Sequence, residues 1–284
     1  MNNHSRPLLL LHIPKTGGMT LRAIVARQYS ARATYIIDNG VNESIIRFRT
    51  MPAADRARFQ YLSGHMSYGL HEFMAASARY LAMLREPLWR ARSDYQFVST
   101  NRFHPLYATV SGMTFEEYMR SGITGQLSNG QTRLICGDSA PDNIGIPTNR
   151  ALLQADLDRA LGHIEERFPV VGVLERFDES LILMRRHFGW SLPYYAKQNV
   201  TQRDAGTGSI DSAGDSVVGA QNELDIALYR HVLERFERQI AEQHWSYHWE
   251  LRALRTVNRL YQGLGLNGWL RIKRRIGISL NPSR

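Results

Sequence analysis

Lys15, Thr16, Gly17, Gly18, Met19 and Thr20 are the tightest group of residues able to do chemistry in this 284-residue chain. They follow the apolar run Leu8-Leu9-Leu10-Leu11-His12-Ile13-Pro14 and lead into Leu21 and a helical pattern. Glycines let a backbone approach an anion closely. Free N–H groups at a helix start point at such an anion, and the helix dipole favours its charge. Lys15 adds a cation, and Thr16 and Thr20 add hydroxyls. The segment reads as a phosphate cradle. It is not a Walker A loop, in which lysine follows the glycines. Here Lys15 precedes them.

Two further places offer chemistry. Arg85-Glu86-Pro87 ends an apolar run, and Ser93 lies eight residues beyond Arg85. A guanidinium at a strand end and a hydroxyl two turns into the next helix can converge on one phosphate. An NTPase of the Walker type wants an Asp on a strand to hold magnesium. The chain offers Arg85 instead, which suits a ligand with a second phosphate. Ser63-Gly64-His65-Met66-Ser67-Tyr68 closes another apolar run. Strand ends in open α/β sheets are where ligands bind, so His65 is a candidate functional histidine. No cluster of metal-ligand spacing is evident, and no metal is expected.

The elements that must hold these residues follow from periodicity. Residues 8–13 form a continuous apolar run bounded by Pro7 and Pro14, the pattern of a buried parallel strand. Further strands are expected at 33–38, 59–63, 79–84 and 169–174, and helices at 20–29 and 88–100, the latter with Pro87 at its start. Leu153, Leu157, Leu161, Ile164 and Phe168 form one helical stripe, and Leu224, Leu228, Val232, Phe236 and Ile240 another. Strands alternating with helices predict an α/β fold with a central, mostly parallel sheet flanked by helices. Residues 202–216, rich in Gly, Ser, Asp and Thr, read as a mobile loop.

In these motifs the chain resembles the carbohydrate sulfotransferases, and among them the heparan sulfate and uronyl 2-O-sulfotransferases and their bacterial kin. His-Ile-Pro-Lys-Thr-Gly-Gly-x-Thr-Leu looks like their 5′-phosphosulfate loop. Arg85-Glu86-Pro87 with Ser93 is similar to their 3′-phosphate grip, and Gly64-His65-Met66-Ser67-Tyr68 to the segment carrying their catalytic base. The resemblance implies a P-loop-like sulfotransferase fold over about residues 8–245. It implies 3′-phosphoadenosine-5′-phosphosulfate (PAPS) as donor, with residues Lys15 to Thr20 on its 5′-phosphosulfate and Arg85 and Ser93 on its 3′-phosphate. His65 would be the base and Lys15 would stabilise the sulfuryl group and leaving oxygen. The acceptor would be a glycan or polysaccharide hydroxyl. Those enzymes carry a second histidine two positions before the base, where this chain has Ser63. Three weaker matches follow. Asn129-Gly130-Gln131-Thr132-Arg133-Leu134 has no assigned role. Val171-Gly172-Val173-Leu174-Glu175 reads as a structural strand. Lys197, in Lys197-Gln198-Asn199-Val200-Thr201, is a candidate cofactor contact. Tyr68, His71, Arg102 and His104, with the segment 101–114, are candidates for the acceptor side. The competing readings are a nucleotide-dependent kinase on a related scaffold and a non-catalytic binding protein on the same fold.

Composition sets the outer bounds. With 43% hydrophobic and 21% charged residues, the chain is neither disordered nor fibrous. One cysteine, Cys136, excludes an intrachain disulfide and a CxxC metal site. The net charge is +9, but residues 250–284 hold eight basic residues against Glu250, leaving +2 for the first 249. The expected division is therefore a sulfotransferase domain at 1–249 and a basic, helical tail at 250–284. A nearly neutral body argues against nucleic acid as partner, while the tail could touch a membrane surface or polyanion. Only Lys15, Lys197 and Lys273 are lysines among 35 basic residues, which makes Lys15 a distinctive choice. The chain lacks a secretory signal pattern and reads as a cytoplasmic, bacterial member.

Overall fold

The computed structural model describes residues 6–37, 40–74, 76–195 and 212–275. In chain order the elements are β1 (Leu8–Leu11), α1 (Gly18–Ala26), β2 (Thr34–Ile37), α2 (Val41–Thr50), α3 (Ala53–Arg56), β3 (Tyr61–Gly64), β4 (Arg79–Leu84), α4 (Pro87–Thr100), α5 (Tyr107–Val110), α6 (Phe115–Ser121), α7 (Gly130–Cys136), α8 (Gln154–Arg167), β5 (Val170–Val173), α9 (Phe177–Phe188), α10 (Ser212–Gln221), α11 (Glu223–Ala241) and α12 (Ser246–Arg275).

The five strands form one sheet in the order β2-β3-β1-β4-β5, and every pairing is parallel. Leu8–Leu11 takes the centre because helices cover both sheet faces, and only an uninterrupted apolar strand is stable there. Leu11 stands beside Gly64 of β3, and Leu10 beside Leu81 of β4. The loops after β1, β3 and β4 therefore leave three adjacent strands at the same edge. The chain runs from β1 to β2 on one side and from β4 to β5 on the other. Connections that diverge from neighbouring strands open a crevice at the carboxyl edge, where α/β proteins bind ligands.

Composition misread the end of the segment expected as a loop at 202–216. Residues 212–216 open helix α10, while 202–211 lie outside the described residues. Tertiary contacts hold the helix: Asp215 pairs with Arg92 at 2.6 Å. Val217 and Val218 are buried in a second core with Val98, Val110, Phe115 and Tyr118. At the other end, α12 runs through residue 250 without a break. Its first turns belong to the main core, with Tyr247, Leu251 and Leu254 buried. Glu250 accepts from Arg186 of α9 at 2.9 Å, and Asn258 accepts from the Tyr195 N–H at 2.8 Å. No helix among the described residues is long and apolar enough to cross a membrane.

Candidate active site

The phosphate cradle forms where the sheet ends. The His12 N–H still bonds to the Gly64 carbonyl at 3.0 Å, continuing the β1–β3 pairing one step beyond Leu11. The backbone then turns sharply. Lys15 has φ 67° and Gly17 has φ 76°. A left-handed conformation costs a lysine roughly 1–2 kcal/mol, so it persists only where the surroundings impose it. Gly17 sits just ahead of α1, whose first turn has no side-chain cap and no acidic residue. The first-turn N–H groups are thus left for an anion. A Cβ on Gly18 would lie 1.8 Å from the His12 ring, so only glycine lets α1 start here. Thr16 is buried and its hydroxyl donates to the Ile13 carbonyl at 2.9 Å. The hydroxyl proton expected to serve the ligand instead closes the turn, which leaves the backbone of Thr16 as its contribution. Thr20 is buried at the helix start, and Met19 is 51% exposed beside it.

Arg85 is fastened to this loop. Its Nη1 donates to the Lys15 carbonyl at 3.1 Å, joining the end of β4 to the turn after β1. Its backbone is held by Gln131, which is fully buried: Oε1 accepts from the Arg85 N–H at 3.0 Å, and Nε2 donates to the Arg85 carbonyl at 2.9 Å. This explains the 129–134 stretch. Asn129 Oδ1 accepts from the N–H groups of Leu224 and Asp225, both at 3.0 Å, at the start of α11. Asp225 in turn accepts from the N–H groups of Gln131 and Thr132 at the start of α7, at 3.1 and 2.7 Å. Two helix N-termini cap each other, and Gln131 transmits that rigidity to Arg85. Glu175 does the same for the next residue, accepting from the Glu86 N–H at 3.1 Å and from Tyr229 at 3.0 Å.

Ser93 is half-buried on α4, one turn before Phe97 on the same face. Lys15 Nζ lies 3.9 Å from the Phe97 ring centroid, so this face of α4 borders the cradle. His104 packs its edge on Phe97 at 5.6 Å, which brings the segment 101–106 to the same place. Burial lowers the Lys15 pKa from its ordinary value; the Asp94 carboxylate opposes this and Arg85 adds to it.

His65 begins the loop after β3. Its Nδ1 is 2.9 Å from the His12 carbonyl oxygen. A carbonyl only accepts, so Nδ1 carries the proton and Nε2 of the neutral ring holds the lone pair. The ring is solvent-exposed in part rather than buried away from the loop, as a purely binding role would allow. Its pKa is lowered, chiefly by the surrounding protein, with the bond to His12 opposing. Arg22, one turn after Gly18 on the same face of α1, lowers the pKa of both His12 and His65. Arg22 and Gln131 are the residues that sequence reasoning missed. The spacing of Arg22 from Gly18 could have pointed to it; nothing local marks Gln131 as a partner of Arg85.

Two expected neighbours are elsewhere. Tyr68 is buried, stacked on His163 at 3.7 Å and packed against Tyr80 at 4.7 Å. His71 contacts the Tyr80 hydroxyl at 3.2 Å. Tyr80 lies near the start of β4, so both side chains sit toward the amino edge of the sheet, away from Lys15 and Arg85. Lys197 falls outside the described residues.

Two histidines are held as neutral rings, His12 buried with its pKa lowered to about 3 and His71 half-buried with its pKa lowered to about 4, both mainly by removal from water. In the unfolded chain both return toward 6.5. The unfolded state then binds more protons below that value, and stability falls as pH drops from about 6.5 toward 4. Thermal melts should give a lower Tm at pH 5 than at pH 7; equal values would contradict the neutral state of these rings in the folded chain.

Fold and site together define an α/β protein with a lysine in the glycine-containing turn after β1, an arginine at the end of the neighbouring β4 and an oriented histidine after β3. The galactose-3-O-sulfotransferase family model matches residues 8–278, and the chain belongs to that family. This places it among the carbohydrate sulfotransferases, as its motifs suggest. Human galactose-3-O-sulfotransferase 3 is 28% identical over 190 residues, covering 63% of this chain and 43% of its own length. Pig galactose-3-O-sulfotransferase 2 is 25% identical over 184 residues, covering 63% and 45%. The chain thus matches less than half the length of these relatives. A solved structure of mouse sulfotransferase SULT7A1 complexed with PAP aligns with 76% of this chain and 64% of its own, at TM-score 0.40 and 12% identity.

Proposed function

We propose that the chain transfers a sulfuryl group from PAPS to a glycan hydroxyl, with the 3-hydroxyl of a galactose residue as the acceptor that the named relatives suggest. The observation carrying this reading is the meeting of Lys15, Arg85 and His65 at the ends of three adjacent parallel strands, with His65 Nε2 left basic. PAPS supplies a sulfuryl group on a phosphate leaving group. The open N–H groups of α1 and the Lys15 ammonium hold its 5′ end, and Arg85 with Ser93 holds the 3′-phosphate. His65 Nε2 takes the acceptor proton as the acceptor oxygen bonds to sulfur and the bond from sulfur to the phosphate oxygen breaks. Lys15 stabilises the charge that develops on that oxygen.

Calorimetry with adenosine 3′,5′-bisphosphate, compared with ATP and magnesium, tests the donor. The expected result is tight bisphosphate binding that Arg85→Ala weakens by about 10–100-fold, as removal of a charged hydrogen-bonding group from an anion site does. Binding of ATP in its place would replace this reading with that of a kinase. Gln131→Ala leaves the Arg85 guanidinium in place but frees its backbone. Bisphosphate affinity should fall about tenfold, a loss of about 1.4 kcal/mol, while adenosine 5′-phosphate affinity changes less than about twofold. Equal losses for both ligands would mean that Gln131 supports the whole fold rather than Arg85. Sulfate incorporation into galactose-terminated glycans, compared with glycans methylated at the galactose 3-hydroxyl, tests the acceptor.

A further inference from the structure

The His12 side chain touches both the glycine turn after β1 and His65. It is 5% exposed, and its ring stacks on His65 with centroids 4.3 Å apart and planes 24° from parallel. The ring also lies against Gly18, so closely that a Cβ there would fall 1.8 Å from Cδ2 and 2.0 Å from Nε2. Its backbone is engaged in both directions. The N–H donates to Gly64 at 3.0 Å, and the carbonyl accepts from His65 Nδ1 at 2.9 Å. One residue therefore sets the height, plane and tautomer of the neighbouring imidazole.

The ring itself is expensive to keep. His12 Nδ1 is buried without a hydrogen-bond partner among the described residues. An unsatisfied buried nitrogen costs about 1–3 kcal/mol, so packing alone would favour an apolar side chain. The charged groups that act on His12 are His65, from the loop after β3, and Arg22, from α1. Both oppose a proton on it, so the stacked pair carries at most the one proton that His65 receives. A flat neutral ring beneath an imidazolium also offers its π face to the charge.

We propose that His12 is a positioning residue for the base: its ring, stacked on His65 and packed against Gly18, holds the His65 imidazole in plane with Nδ1 on the His12 carbonyl and Nε2 toward the acceptor. This rests on the reading of His65 as base. His12 touches neither donor nor acceptor in this role and acts through His65.

The test compares His12→Leu, which keeps volume but loses the flat ring, with His12→Asn, which keeps a flat group. Expected for His12→Leu is a kcat lower by about 10–100-fold, part of the 10²–10⁴ that general base catalysis supplies. Bisphosphate affinity should stay within about twofold, because the loop backbone is unchanged. His12→Asn should recover most of the lost rate. Nitrogen-15 NMR of the imidazoles gives a readout independent of turnover: His65 should be the Nδ1–H tautomer in the parent and in His12→Asn, and a mixture in His12→Leu. Parent-like kcat and an unchanged His65 tautomer in His12→Leu would overturn the proposal. So would loss of bisphosphate binding in both variants, which would assign His12 to the loop. If His65 is not the base, His65→Ala keeps its turnover while the tautomer still responds to His12, so the two failures are told apart.

Discussion

Replacing His65 by alanine lowers kcat by about 10²–10⁴-fold and leaves bisphosphate affinity within about twofold, because a positioned base contributes to the transition state and not to donor binding. The geometry separates these two effects. His65 belongs to the loop after β3, while the anion groups belong to the loop after β1 and the end of β4. Its contact with the phosphate loop runs through the His12 carbonyl and ring, neither of which is removed by the substitution. The pH dependence carries a sign. Only the neutral imidazole accepts a proton at Nε2, so the rate falls as pH drops through the His65 pKa. That pKa is lowered by burial, so the acid limb of kcat/KM should lie below the ordinary histidine value of 6.5. His65→Ala should lose this limb. Turnover equal to the parent, or an acid limb that survives the substitution, would sink the assignment.

What could be read from the residues alone was whatever is local. Leu8–Leu11 and Arg79–Leu84 are long apolar runs between turn residues, and both are buried neighbours in the sheet. Lys15 to Thr20, His65 and Arg85 each follow such a run, so the parallel topology brings them to one edge without further information. The use made of each side chain was less legible. Thr16 has the hydroxyl that the motif suggests, but the Ile13 carbonyl three residues back claims it. Gln131 reaches Arg85 across 46 positions, and Asp225 reaches Gln131 across 94. No local pattern encodes such pairs, because they exist only once β4, α7 and α11 have packed. Tyr68 erred for the opposite reason. Three residues after His65 it looks like part of the same site, yet the chain has already turned back along the sheet toward Tyr80 and His163. Spacing along a loop limits distance but does not fix direction.

Lys15→Ala should lower kcat by about 10²–10³-fold, the usual loss when one donor to a developing oxyanion is removed. The lysine is held from two sides. Its backbone is left-handed at φ 67°, clasped through its carbonyl by Arg85 at 3.1 Å. Its ammonium rests over Phe97 at 3.9 Å. Lys15→Arg should not restore the rate, since a broad planar guanidinium cannot occupy the place of a compact ammonium. Burial lowers the Lys15 pKa, so the alkaline limb of the rate should begin below the ordinary lysine value of 10.5. The backbone supplies a control that separates chemistry from folding. Alanine keeps the left-handed strain, whereas glycine adopts this conformation freely. Lys15→Gly should therefore be more stable than Lys15→Ala by about 1 kcal/mol and no more active. Denaturant unfolding and initial rates on the same two variants decide it. If activity tracked stability, with glycine recovering both, the contribution of Lys15 would be to the shape of the loop. A stable, inactive Lys15→Gly assigns the ammonium to the reaction, and explains why a strained lysine stands where glycine would fold more easily.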